Sequence, residues 1–169
     1  MKKILVMLVV ASFALNANAQ HVFNKGDVMF NAGMGIPYSY GLVPSINFSG
    51  EVGVIPTGDI GLVSFGGLTE FQVGRYEWFD TNETFTRFYL GARAAWHVHA
   101  FNSDEFDAYG GVGFGIAFSG KTDHYDNAVD PIPDVFVGGR WMFSPHMGLF
   151  GEVGYSGLSS LKVGITFGI

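Results

Sequence analysis

The chain has 169 residues, 15 acidic against 9 basic side chains, a formal net charge of −6 and no cysteine. That length points to one domain, the acidic balance removes the electrostatic case for nucleic acid, and the missing thiols exclude disulfides, cysteine–metal frameworks and a lipoprotein anchor. Twenty-five glycines alongside 16% aromatic residues suit glycine-lined strands with aromatic outer surfaces better than helices.

The chain opens on Lys2 and Lys3, continues through an apolar run over 4–15 broken only by Ser12, and reaches Ala17-Asn18-Ala19. This order predicts a secretory signal peptide over 1–19, cleaved before Gln20, because the run is shorter than the roughly 20 residues of a spanning helix. The domain left over 20–169 keeps 7 of the 9 basic side chains and all 15 acidic ones.

Eight segments then alternate, at about 27–36, 44–54, 61–74, 86–98, 106–118, 134–143, 148–155 and 159–169. One phase is bulky and apolar; the other carries glycine, alanine, serine and charge. The last segment sets Leu161, Val163, Ile165, Phe167 and Ile169 against Ser160, Lys162, Gly164, Thr166 and Gly168. Period two means strands with two unlike faces. A soluble barrel fills its interior with bulk and sends charge outward, so the pattern predicts the inverse, an all-β, eight-stranded antiparallel up-and-down transmembrane barrel. An even count puts both termini on one side, with turns at 55–59, 101–105 and 144–147; the other side carries 37–43, 75–85, 119–133 and 156–158. In the third segment Ile60 and Leu62 lie on one phase and Phe65, Phe71 and Val73 on the other, which a bulge near Gly61 would reconcile.

With the glycine-rich phase inward, the buried charges are Glu51, Glu70, Arg87, Arg93, Asp107, Arg140, Glu152 and Lys162, four acids against four bases. The lumen of an eight-stranded barrel is just wide enough for side chains to fill. These eight therefore read as a structural ion-pair network, with Tyr89, Gln72, Asn31, Asn47 and Ser49 as neutral members. Outward aromatics, Phe30, Phe48, Phe71, Phe88, Trp96, Phe106, Phe118, Trp141, Phe143, Tyr155 and Phe167, fall mostly toward strand ends, where membrane interfaces favour such rings.

Chemistry finds little foothold. The glycines of Gly111-Val112-Gly113-Phe114-Gly115 form no phosphate loop, since they sit on a strand, precede no helix and lack a lysine. His97 and His99 share a face as a metal pair would, without an evident third ligand. His97, His124 and His146 have no serine of matching face beside them in sequence, so no constellation is recognisable, although spacing leaves Ser64, Ser119 and Ser144 open as neighbours across the barrel. The reading is therefore no catalytic, cofactor-binding or metal site. The longest connections carry Glu77, Asp80, Glu83, Asp123, Asp126 and Asp130, which make the outer mouth acidic and suit cation-bridged contact with lipopolysaccharide or a basic partner.

The stretches 89–98, Tyr109-Gly-Gly-Val-Gly-Phe-Gly-Ile116, Phe136-Val-Gly-Gly-Arg140-Trp-Met-Phe-Ser-Pro145 and Leu149-Phe-Gly-Glu152-Val-Gly-Tyr155 resemble the small outer-membrane β-barrel family. That family includes opacity-like surface proteins and the membrane domain of OmpA, and the likeness is closest to barrels of Bacteroidetes type. The resemblance implies an inward Arg/Glu cluster matched by Arg93, Arg140 and Glu152. It also implies a cell outer-membrane location in a Gram-negative bacterium, contact with lipid and lipopolysaccharide, passage through the barrel-assembly machinery and an extracellular partner. Members commonly end in an aromatic residue that aids assembly; this chain ends in Ile169, with Phe167 two positions earlier. The expected role is structural or surface-interacting and the expected state a monomer, with a narrow passive pore or a lipid-modifying barrel enzyme as alternatives.

Overall fold

The computed structural model describes residues 21–38, 43–78, 81–99, 103–120 and 128–169, side chains of 76–78 and 81–83 excepted; the predicted signal peptide lies outside them. The strands are β1 (Val28–Pro37), β2 (Ser45–Pro56), β3 (Gly61–Trp78), β4 (Thr81–Val98), β5 (Phe106–Ser119), β6 (Ala128–Ser144), β7 (Met147–Ser156) and β8 (Ser159–Gly168). All neighbours are antiparallel, and β8 pairs with β1 to close the barrel. Closure leaves no edge within the wall, which satisfies backbone groups in lipid as in water.

Following paired residues once round the wall from Phe106 through Trp141, Leu149, Ile165, Ala32, Phe48, Thr69 and Leu90 returns to β5 at Ile116. The start and finish are ten residues apart on one strand. That stagger with ordinary strand spacings tilts the strands by about 40°.

Alternation decides the two faces. All eleven aromatic residues assigned outward lie on the outside, with Val, Ile and Leu between them. Phe106 stacks with Trp141 toward the end carrying the termini, here the near end, and Phe88 with Phe118 toward the far end. Inside, bulky rings take their space from glycine. Gly91 and Gly115 are paired neighbours, and a Cβ on either would run into the Tyr89 ring.

Two sequence expectations need correction. β3 keeps one phase throughout its pairing with β4, so there is no bulge near Gly61. Leu62 points inward and is buried, and the irregularity lies instead in β2 between Gly53 and Ile55. The segments 75–85 and 119–133 also contain more strand than expected. β3 pairs with β4 as far as Trp78 and Thr81, and β6 pairs with β5 back to Ala128. Pro131 and Pro133 fit there because β7 pairing begins only at Val135, and a strand flanked on one side tolerates a missing N–H.

The four strands β3–β6 therefore outreach the rest. The 18 residues of β3 or β4 climb about 45 Å along the axis, against about 25 Å for a ten-residue strand. Pairing to β2 stops at Gln72 and pairing of β4 to β5 at Arg87, so the β3–β4 hairpin rises above its neighbours at the far end.

Candidate functional site

The interior polar groups fall into three layers. Nearest the termini, Arg140 reaches from β6 to pair with Glu51 of β2 and, at 3.1 Å, Asp107 of β5. His97 of β4 sits between the same acids, its Nδ1 2.9 Å from Asp107 and its Nε2 3.1 Å from Glu51. Both ring nitrogens thus face carboxylates, which favours the doubly protonated ring. The Arg140 guanidinium also lies 4.6 Å from the Tyr109 ring centre.

In the middle layer, Arg93 Nη2 lies 2.9 Å from Glu152 Oε1, which also accepts from the Tyr109 hydroxyl at 3.0 Å. The Arg93 guanidinium lies 3.6 Å over the Phe136 ring. Toward the far end, Glu70 accepts from the Ser45 and Ser159 hydroxyls and, at 2.9 Å, from the Leu158 N–H. Lys162 Nζ is 3.7 Å from Glu70 and donates to the Ser156 carbonyl. Asp134 accepts the Gly157 N–H at 2.7 Å, and Arg87 is buried at this level.

The eight charges read from the sequence all project inward; Glu51, Asp107 and Arg140 meet in one cluster, Arg93 meets Glu152, and Glu70 meets Lys162. Two further ionisable groups point inward. Asp134 shares the inward phase of Arg140 and opens the predicted sixth segment, directly after Pro133, yet it does not figure among the eight. His97, which the sequence offers only as half of a possible metal pair, is fully buried. With both included, the described interior holds five acids and five cations, so the charge closes. Among the neutral members, Asn31 Nδ2 donates to Ser49 and Gln72 Nε2 to the Val43 carbonyl. Of the outer acidic residues, Glu77 and Glu83 stand on β3 and β4, paired with Asn82 and Tyr76; Asp130 stands exposed on β6; Asp80, Asp123 and Asp126 lie outside the described residues.

Ser64 Oγ, 3.0 Å from His97 Nε2, completes an order of serine, histidine and aspartate that resembles a nucleophilic triad. The chemistry does not follow. Ser64 donates its proton to Glu51 rather than to the histidine, and a carboxylate stands against each His97 nitrogen, whereas a base must have a free nitrogen. The Phe23 ring also covers the histidine, centre to centre at 4.5 Å.

Both mouths are stopped among the described residues. At the near end Phe23, from the segment before β1, packs with Met29, Leu62 and Met142. At the far end the β7–β8 turn folds inward through Gly157, at φ +60°, and Leu158, with no exposed surface, joins Leu68, Tyr89, Ala117 and Ile132.

These features define an eight-stranded antiparallel barrel turned inside out, apolar on its outer wall and ion-paired within. No family model matches the chain, and no curated protein matches its sequence. Among solved structures it is similar to Ail, the attachment invasion locus protein of Yersinia pestis, in complex with the heparin analogue sucrose octasulfate. The identity is 14% over 86% of this chain and 100% of that one, with a TM-score of 0.50. A second crystal structure of Ail gives the same identity and coverage with a TM-score of 0.47. At 14% identity the likeness is one of fold.

Proposed function

We propose that the chain is an outer-membrane surface-interaction barrel whose working part is the β3–β6 wall projecting at the far end. The observation that carries this reading is the difference in strand length: about 45 Å of wall against a hydrocarbon band of roughly 25–30 Å. The filled, stopped interior supports it by leaving little for a pore to conduct through, and the two carboxylates against His97 by engaging the nitrogens an enzyme's base would need. The reading includes export by a signal peptide over 1–19, a monomeric state, lipid and lipopolysaccharide around the wall, delivery by the barrel-assembly machinery, and the opacity-like and OmpA-like affinity seen in the sequence.

The partner's charge follows from the acidic residues that the sequence sets toward the outer mouth, Glu77, Asp80, Glu83, Asp123, Asp126 and Asp130. Ail was crystallised with a sulfated polyanion; six acids favour the opposite sign here, a basic partner or a cation-bridged one. Liposomes carrying the folded protein should bind immobilised polylysine and ignore heparin. Conversion of the six to Asn and Gln should weaken the polylysine binding about tenfold or more at low salt. Heparin binding by the unaltered protein would overturn the assignment of charge.

A further inference from the structure

The near-end stopper is held by specific contacts. Residues 21–27 cross the mouth ahead of β1. The Asn24 N–H donates to Asp27 Oδ2 at 2.8 Å, and the Asn24 amide donates to the His21 carbonyl at 2.8 Å. Gly26, at φ +94°, donates to the Gly53 carbonyl at 2.9 Å, and Gly53 returns a bond to the Asp27 carbonyl at 3.0 Å. A Cβ on Gly53 would strike the Asn24 carbonyl oxygen. This fold drives Phe23 into the barrel until 1% of its surface remains exposed.

One further contact ties the segment to the wall. The His21 ring stacks on His99, just past β4, with centres 3.7 Å apart and planes within 10°. Facing His99 are His21 and the Phe23 backbone from the segment itself, Asp107 from β5 and His97 from β4.

We propose that residues 21–27 form an acid-released stopper and that the His21–His99 stack is its latch. Neutral rings hold the segment on the mouth. Protonation of both drives it away and opens the Glu51–His97–Asp107–Arg140 cluster to water from that side. Two neutral imidazoles stack without penalty, whereas two imidazolium ions at this separation repel. His97, charged and two residues along the strand, adds to the repulsion, and Asp107 is already engaged by Arg140 and His97. Burial first, and then the facing His21, hold the His99 imidazole below the ordinary histidine value. A lowered histidine stabilises the closed form fully above the unfolded value of about 6.5, and that contribution is lost as pH falls through the lowered value. The latch needs neither the acidic wall nor its partner.

Amide exchange of the protein folded in detergent micelles, measured by NMR near pH 7.5 and near pH 5.0 and corrected for intrinsic exchange, tests this. Gly26 and Gly53 report the stopper; Val112 and Ile165 report the wall. Protection at Gly26 and Gly53 should fall about tenfold at the lower pH while the wall holds. His99→Gln, which removes the stack and its repulsion together, should abolish the fall and give one level of protection at both values, and Phe23→Ala should lose protection at both with the wall intact. Equal protection at the two pH values, or an undiminished fall in His99→Gln, would overturn the latch. A fall that includes Val112 and Ile165 is acid unfolding and counts equally against it. Full protection in Phe23→Ala would overturn the stopper itself.

Discussion

Arg140 shows how the interior balances its charges. It pairs with Glu51 and Asp107, and His97 bridges the same two acids from the other side. Replacing it by Met leaves two buried carboxylates with one cation between them. Removing one side of such a buried set costs about 3–5 kcal/mol, so Arg140→Met should lower unfolding free energy by that amount in a urea titration of the micelle-folded protein. Adding Glu51→Gln should recover part of the loss; strictly additive losses would mean that the two side chains are not coupled. The inward phase of all three residues was readable from alternation alone. That His97 joins them was not, because its burial depends on Phe23, which arrives from outside any strand and leaves no periodic trace.

Among the elements, β3 is the instructive one. Leu62 departs from the expected apolar phase because the inward face, small or polar along most of the wall, is closed at the near end by an apolar group to which Leu62 belongs. Its phase was regular; what changed along the strand was the neighbourhood inside. The long hairpins escaped notice for a different reason: proline and acidic residues look like loop when only composition is weighed, although an unflanked strand accepts both. Replacing 75–84 by a two-residue turn should therefore leave the barrel folded, seen as an unchanged heat-dependent shift in gel mobility, while binding of the liposomes to polylysine falls. A loss of the mobility shift would mean that the hairpin belongs to the folding core.

For the molecule as a whole, both mouths are stopped and the lumen is filled by paired charge, so planar bilayers containing the protein near pH 7.5 should show no stable conductance steps. Regular steps at that pH would restore the narrow-pore alternative. The amino-acid sequence by itself determined the strand count, the antiparallel closure and the assignment of faces, because each depends on period-two alternation, which is local and repeats in every strand. It also placed eight charges inward, since phase alone sets direction. The tertiary structure alone decided which acid meets which base, because partners such as Glu51 and Arg140 lie 89 residues apart and are joined only by the stagger of the closed wall. It alone decided that the ends are stopped, since Phe23 and Leu158 belong to segments outside the strands and their burial comes from where the chain folds back over the mouths.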